Sequence, residues 1–171
     1  MYDARFITNH IIMSFPAEAH RIDLKKINFL IYLIDGFHIA SHGKRILNNH
    51  IEAFPNGPGI RVICEEFRRF REKPIKALAT YYDYESMGRV IADPDKMCEE
   101  SRKFVFDVAS SWVRLDILEV EQIVCMRGGP WWRTYYHGYN NPLLTLRIPE
   151  REIEEYFTTN FIEPVPQRHV H

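Results

Sequence analysis

One segment, DLKKINFLIYLIDGFHIASHG at residues 23–43, constrains the fold of this 171-residue chain more than any other. Its apolar run Ile27–Ile34 is interrupted by Asp35, well short of the roughly 20 apolar residues that span a bilayer. Apolar residues recur at helical spacing over a broad face, which predicts a helix that is buried on much of its surface. Asp23 is placed to cap the start of this helix, and Gly43 is placed to end it.

Periodic apolar positions predict four further helices along the chain. An Asp116-x-x-Glu119 capping pattern opens one of them, and Pro149 stands at the first helical position of the last. Breaks at Lys73-Pro74 and at Gly128-Gly129-Pro130 each close the helix that precedes them. The expected apolar faces are Ile60, Ile63, Phe67 and Phe70; Met97, Ser101, Phe104, Val108 and Trp112; Ile117, Val120, Ile123 and Val124; and Ile153, Tyr156 and Phe157.

A small β element is expected near the middle of the chain. Two short apolar runs, RIL at 45–47 and IEAF at 51–54, could pair as a hairpin that needs the helices for support. The sequence NGPG at 56–59 predicts a sharp turn at Gly57-Pro58 that leads into the helix beginning near Ile60. It does not predict a phosphate-binding loop, because no Lys-Ser/Thr pair follows the glycines. Residues 74–94 show no regular pattern.

These patterns together predict a mainly α fold, a compact multi-helix domain with a small β-hairpin near the middle of the chain. No repeat, low-complexity tract or long linker interrupts the sequence, so we expect one globular domain over residues 1–160. Residues 161–171 are expected to form a frayed C-terminal tail.

Composition narrows the functional classes. The formal net charge of -1 argues against nucleic-acid binding carried by overall charge and leaves open a local basic patch. Cys64, Cys98 and Cys125 are too far apart for a disulfide framework or a Cys-x-x-Cys metal pair. The amino terminus lacks the basic-then-apolar pattern of a secretory signal, and no membrane segment is expected. A reducing, cytoplasmic location is the simplest interpretation.

No constellation of residues predicts catalysis. His38 and His42 are spaced to face one metal from a helix, but the acid of a His-Glu-x-x-His site is missing. Packing is the favoured interpretation of both, and also of His137, which we expect in a loop. We therefore predict no catalytic residue, no metal and no cofactor. The remaining alternative is a hydrolase or nuclease whose Glu52, His38 and His137 share one pocket.

Two segments are candidates for binding a partner. The run EEFRRFREK contains Arg68, Arg69 and Arg71, which could bind an acidic partner or phosphate. More often such a run is a solvated helix face with local ion pairs. The segment GGPWWRTYY concentrates aromatic area at Trp131 and Trp132, and Trp, Tyr and Arg dominate protein–protein hot spots. We expect one of these two tryptophans to be core and the other to be partly exposed.

The long segment INFLIYLIDGFHIASHGKRILNNHIEAFPNGPGIRVICEEF resembles the Panacea domain family, which includes antitoxins and phage-associated proteins. That family carries a helical motif ending in Tyr, a Gly-Trp pair, an Ile-Glu-Ala-Trp motif and a Gly-Pro-Val motif, in this order. GGPWWRTYY and RIPEREIEEYF resemble its Pro-Trp segment and its closing helix, so the resemblance covers roughly residues 20–160. The resemblance implies structural roles for the matching positions Tyr32, Gly36, Glu52, Phe54, Gly57 and Pro58.

The resemblance implies a protein-binding module and not an enzyme. Such a module acts as an antitoxin that neutralises a toxin by direct contact, or as an adaptor that delivers the toxin to a Clp-type protease. The toxin is expected to be encoded by an adjacent gene. A nucleic-acid-binding regulator encoded on a phage or mobile element is the alternative. The chain departs from the family pattern with Phe29 for Lys, Phe37 and Phe54 for Trp, Gly59 for Val and Cys64 for Tyr.

Glu52 is the one acidic residue between apolar neighbours in IEAF. In an alternating strand, Glu52 and Phe54 share one face while Ile51 and Ala53 share the other. Because Phe54 favours burial, Glu52 would lie at a partly buried edge, where a carboxylate needs a donor such as a backbone N–H or an arginine. We expect a structural role for Glu52, with contact to a partner as the alternative.

Overall fold

The structure is a computed structural model that describes residues 1–139 and 146–160. Within these residues the fold is mainly α, as predicted, with two small antiparallel two-stranded sheets. The tail 161–171 and most of the loop HGYNNPLL lie outside the described residues. The α-helices are α1 (Ala4–Ser14), α2 (Leu24–His42), α3 (Arg61–Glu66), α4 (Glu99–Trp112), α5 (Ile117–Val124), α6 (Pro130–Tyr139) and α7 (Glu150–Asn160); the strands are β1 (Glu52–Phe54), β2 (Gly57–Gly59), β3 (Thr80–Asp83) and β4 (Gly88–Ile91).

Helix α2 is the centre of the fold, and the sequence prediction for it is confirmed. Asp23 caps its start, since the carboxylate accepts a hydrogen bond of 2.7 Å from the backbone N–H of Lys26. Gly43 ends it in the left-handed conformation, with φ at 64°. Residues 26–39 are all buried because α2 packs against α1, α3, α4, α5, α7 and β2. None of the described helices is long and apolar enough to cross a membrane.

The predictions for the other helices are confirmed in part. Helices α4, α5 and α7 form where their patterns predict, and α5 carries the complete Asp116–Glu119 capping box. Helix α3 ends earlier than predicted, at Glu66, and Phe67 packs into the core from the turn that follows. Helices α1 and α6 were not predicted. The prediction of a loop at His137 is wrong, because this residue lies in the last turn of α6.

The first hairpin forms between different segments from those predicted. Strand β1 pairs with β2 through a turn at Pro55-Asn56, so Gly57-Pro58 is part of a strand and not the turn. The 45–47 segment instead runs beside the N-terminus, where Tyr2 and Leu47 form a parallel bridge and the N–H of Tyr2 donates to the Ile46 carbonyl at 2.7 Å. The two-residue connection between β1 and β2 is of the commonest hairpin length, whereas the predicted pairing would have used the three-residue connection 48–50.

A second hairpin, β3–β4, occupies part of the stretch that the sequence pattern left irregular. Its base is held by the buried side chain of Asn9, whose Nδ2 donates to the carbonyls of Ala79 at 2.9 Å and Ala92 at 2.8 Å. The N–H of Ala79 donates in return to Asn9 Oδ1 at 2.7 Å. These bonds come from α1, far away in sequence, so local pattern could not reveal them.

The buried carboxylate of Asp35 joins α2 to the chain that follows it. Asp35 is fully buried and accepts hydrogen bonds from Arg45 Nε at 2.8 Å and from the N–H groups of Ile46 and Leu47, both at 3.1 Å. Arg45 is itself buried and donates onward to the Asn49 carbonyl at 2.9 Å. Burial raises the pKa of Asp35, while Arg45 and the two backbone donors oppose that rise.

Replacing Asp35 with Ala should lower the free energy of unfolding by about 3–5 kcal/mol, because it leaves a guanidinium buried without its counter-charge. Urea denaturation followed by circular dichroism measures the loss. The matched control is Asp107→Ala, which breaks an exposed i,i+4 pair with Lys103 and should cost about 0.5 kcal/mol or less. A cost for Asp35→Ala equal to that of the control would contradict a central role for this carboxylate.

Candidate functional site: the hairpin groove

A groove of about 550 Å³ lies between the first half of α2 and the β1–β2 hairpin. We call it the hairpin groove. Its volume falls within the range of small-ligand and side-chain binding clefts. Helix α2 and the hairpin form its walls, and the segment after α3 supplies one end. The lining residues are Leu24, Lys25, Asn28, Phe29, residues 54–59, Cys64, Arg71 and Glu72.

Asn28 fixes the hairpin against α2. Its Oδ1 accepts a hydrogen bond of 2.8 Å from the N–H of Ile60, and its Nδ2 donates to the carbonyl of Leu24 at 2.8 Å. The side chain is buried, so these bonds satisfy it where water is excluded. Sequence reasoning missed this residue, although a polar side chain within the apolar run was the available signal.

Helix α6 and the chain before α7 hold the hairpin from the other side. The indole Nε1 of Trp131 donates a hydrogen bond of 2.8 Å to the carbonyl of Phe54. The N–H of Ala53 donates to the Leu146 carbonyl at 2.7 Å, which covers the outer edge of β1. The short hairpin therefore gains the external support that an isolated two-stranded sheet requires.

Gly57 allows Phe29 to pack against the hairpin. A Cβ atom at Gly57 would lie 2.4 Å from Cε1 of Phe29, and the backbone φ of 121° is one that other residues rarely adopt. The glycine is thus required by both space and conformation. The aromatic ring of Phe29 therefore fills the contact between α2 and β2.

Tyr32 and Gly36 belong to the core behind the groove. A Cβ at Gly36 would lie 2.4 Å from the ring of Phe157, so the glycine lets α7 approach α2 closely. The Tyr32 ring packs edge-on against the same Phe157 with ring centroids 5.5 Å apart. Tyr32 is fully buried, and burial raises its pKa well above the ordinary value for tyrosine. The geometry gives both residues a packing role.

Glu52 has the donor that its strand position requires, and of the two expected kinds, a backbone N–H or an arginine, the structure has an arginine. Its two carboxylate oxygens accept hydrogen bonds from Nε of Arg61 at 3.0 Å and from Nη2 of the same guanidinium. Ile51 and Ala53 are buried on the opposite face, while Phe54 is half-buried and lies 5.8 Å from the Arg61 guanidinium carbon. The pair connects β1 to the start of α3 beside the groove.

The three predicted partner-binding arginines lie in the segment that follows α3, and one of them lines the groove. Arg68, Arg69 and Arg71 are exposed in the turns after α3, and Arg71 lines the groove itself. None of the three forms an ion pair with a carboxylate elsewhere in residues 1–139 or 146–160. Arg69 stacks on Phe70, with 4.8 Å between its guanidinium carbon and the ring centroid. Arg71 adopts a φ of 52°, which is uncommon outside glycine.

The two predicted tryptophans divide between core and surface. Trp131 is buried, with 8% of its surface exposed, and stacks on Tyr135 with ring centroids 5.3 Å apart. Trp132 is half-buried and lies 5.0 Å from the ring of Tyr136, with Arg127 over its face at 5.8 Å. Trp131 therefore supports the hairpin, whereas Trp132 presents part of its ring to solvent.

A second, smaller cavity of about 220 Å³ lies beside His38 and His42. The two imidazoles stack with ring centroids 4.4 Å apart, and Nδ1 of His38 lies 2.7 Å from the carbonyl of Lys44. Within the described residues, no group of three or more His, Cys, Asp or Glu side chains could hold a metal. Neither Glu52 nor His137 lines this cavity, so it does not gather the three residues that a hydrolase was expected to use.

The three cysteines are free thiols in different surroundings. Cys98 is exposed at the N-cap of α4, where Sγ lies 3.2 Å from the Ser101 hydroxyl oxygen. Hydrogen bonds from Ser101 and Tyr2 lower the pKa of Cys98 to about 7. Burial raises the pKa of Cys64, and it raises the pKa of Cys125 to about 12. Among the three, only Cys98 should have a substantial thiolate fraction near neutral pH.

Replacing Gly57 with Ala should lower the free energy of unfolding by about 2–4 kcal/mol, because it combines a clash with Phe29 and a strained backbone. The matched control is Gly43→Ala, where φ is 64° but no atom lies within 4 Å of the added Cβ. That variant should show the conformational cost alone, about 1 kcal/mol. Urea denaturation compares the two, and equal losses would contradict the close contact between Gly57 and Phe29.

Cys98 should react with iodoacetamide before the other two cysteines at pH 7.5. Its rate should rise as the pH passes through about 7, because the thiolate is the nucleophile and its fraction grows above the pKa. Peptide mapping by mass spectrometry across pH 5.5–9 gives the rate at each thiol. Ser101→Ala should shift the midpoint upward. A midpoint in the range of an ordinary cysteine in the unmodified protein would contradict the assigned hydrogen bonds.

Comparison with protein families places these features in one group of proteins. Residues 27–132 match the family described as antitoxin SocA-like, Panacea domain. The matched segment contains both hairpins, the three arginines and both tryptophans, and it covers more than half of the chain. No curated protein and no solved structure matched the chain. The chain therefore belongs to the Panacea domain family of SocA-like antitoxins.

Proposed function

We propose that this protein is a cytoplasmic antitoxin that neutralises a toxin, encoded by an adjacent gene, through direct protein–protein contact. Membership in an antitoxin-like family supports a protein partner and a non-enzymatic role. We place the contact with the toxin at residues 68–71, because their three arginines are exposed and Arg71 lines the hairpin groove. Three cations without ion pairs in the described residues are available to a partner.

The arginine segment and the exposed part of Trp132 have the residue types of a protein-binding site. Arginine and tryptophan are enriched among residues that contribute most to binding free energy, and Trp132 keeps part of its ring exposed. Arg61 and Lys25 are already engaged with Glu52 and Glu121 and serve mainly to hold the groove walls. Partner contact is thus assigned to Arg68, Arg69, Arg71 and Trp132, with Trp131 supporting the hairpin from behind.

The test is co-expression of the chain with the product of the adjacent gene in the native host. The wild-type chain should restore growth and co-purify with the toxin. The triple variant Arg68→Ala/Arg69→Ala/Arg71→Ala should bind about a hundredfold more weakly and fail to rescue, since each central arginine contributes more than about 1 kcal/mol. The matched control Lys103→Ala/Arg114→Ala/Arg151→Ala removes three exposed cations from other surfaces and should rescue fully.

The toxin level separates the two ways in which an antitoxin could act. Direct neutralisation leaves the amount of toxin unchanged on an immunoblot, whereas an adaptor for a Clp-type protease lowers it in a protease-dependent way. A wild-type chain that is folded and present but neither binds the toxin nor restores growth overturns the proposal. Binding to nucleic acid that weakens steeply with salt would then favour the alternative of a regulator.

A further inference from the structure

We propose that the hairpin groove binds one large apolar side chain carried on an acidic, extended segment of the partner protein. This inference rests on the proposed function, because it names the chemistry of the partner at the same site. The inference needs three features in the structure: an apolar interior in the groove, a hairpin edge that cannot pair with a strand of the partner, and a basic rim. The structure supplies each of these three features.

Most of the side chains that line the interior of the groove are apolar. Leu24 and Phe29 line it from α2, and Phe54, Pro55 and Pro58 line it from the hairpin. Two side-chain amides are in the lining: Asn28 already makes hydrogen bonds with Ile60 and Leu24, and Asn56 lies at the exposed turn of the hairpin. A cleft of about 550 Å³ exceeds the space that a single aromatic or long aliphatic side chain needs. Burial of such a side chain removes apolar surface from water and therefore favours binding.

The outer edge of β2 is unsuited to adding a strand from the partner, because Gly57–Gly59 are buried and pack against α2 and α5. In the β1–β2 register Ala53 opposes Pro58, and the N–H of Ala53 points away from β2 to the Leu146 carbonyl. The backbone of Pro58 must therefore point outward from the opposite edge, since paired residues in an antiparallel ladder share one orientation. Proline offers no N–H there. Recognition consequently depends on a side chain in the groove.

The rim of the groove is basic. Arg71 lines it, and Arg68 and Arg69 lie in the same exposed segment without ion pairs in the described residues. Glu72 is the acid among the lining residues, and Lys25 is paired with Glu121. Between Glu65 and Lys73 four cations outnumber three acids, and one of these acids, Glu66, is paired with Arg89. This excess of positive charge selects an acidic segment, and arginine binds carboxylates with two parallel hydrogen bonds. Steering by this charge predicts binding that weakens with added salt.

The test is selection of random peptides displayed on phage against the wild-type protein. We expect enrichment of peptides with Phe, Trp, Leu, Ile or Met flanked by Asp and Glu. The most enriched peptide, made synthetically and labelled with fluorescein, is then titrated by anisotropy. Asn56→Trp places a bulky ring at the exposed turn that lines the groove and should weaken binding at least about tenfold.

Two further variants test separately the effect of the rim charge on binding and the effect of an added tryptophan on a surface away from the groove. Arg71→Gly removes the guanidinium and suits the positive φ, so the fold is kept while binding should weaken about tenfold. Glu85→Trp adds the same ring to the turn of the other hairpin and should leave binding unchanged. Enrichment of basic or uncharged peptides, no enrichment, or binding that Asn56→Trp and Arg71→Gly leave intact overturns the inference.

The same variants in the co-expression assay distinguish this inference from the proposed function. If the wild-type chain and Asn56→Trp both neutralise the toxin, the groove inference falls and the antitoxin function stands. If the acidic peptide binds as expected but the wild-type chain does not neutralise the toxin, the groove inference stands and the antitoxin function falls. Self-association through this chain's own Asp83–Glu85 turn would appear as a concentration-dependent dimer that Asn56→Trp abolishes, and would overturn the assignment to a partner protein.

Discussion

The buried carboxylate of Asp35 is the interaction on which the rest of the structure depends. Asp35 lies in α2, which packs against α1, α3, α4, α5 and α7. Its hydrogen bonds with Arg45, Ile46 and Leu47 hold the segment that follows α2. The same segment then anchors the N-terminus through Tyr2 and leads into the first hairpin. A carboxylate in the core is costly unless all its partners are present, so this one specifies a single path for the chain.

The family-motif residues divide into those that build the groove and those that line it. Gly36 and Tyr32 let α7 pack closely on α2, behind the hairpin. Gly57 performs the same task in front, where it admits Phe29. Phe54 and Pro58 line the groove itself. The family motif is therefore largely a set of close packing contacts. These contacts hold two short strands against a long helix, and the groove lies between them.

Rigid support and exposed charge are combined at one end of this groove. The hairpin is held by Asn28, Trp131 and Leu146 from three separate elements, so its two short strands do not rely on their own pairing. The segment beside it carries Arg68, Arg69 and Arg71, which form no ion pair within the described residues. A fixed apolar cleft beside unpaired positive charge is an arrangement suited to recognising another protein, since little ordering is needed on this side of the contact.

The sequence determined the central helix with both its caps, three of the four other predicted helices, the family, and the need of Glu52 for a nearby donor. The helices and their caps depend on residues close in sequence, and the donor to Glu52 follows from the need of a partly buried carboxylate for a hydrogen bond. The partner of β1, the second hairpin, helix α6 and the groove were decided only by tertiary structure. Asn9 reaches Ala79 and Ala92, and Trp131 reaches Phe54, across 70 to 83 residues of sequence. Such contacts satisfy buried backbone groups at a distance, and no local spacing of residues encodes them.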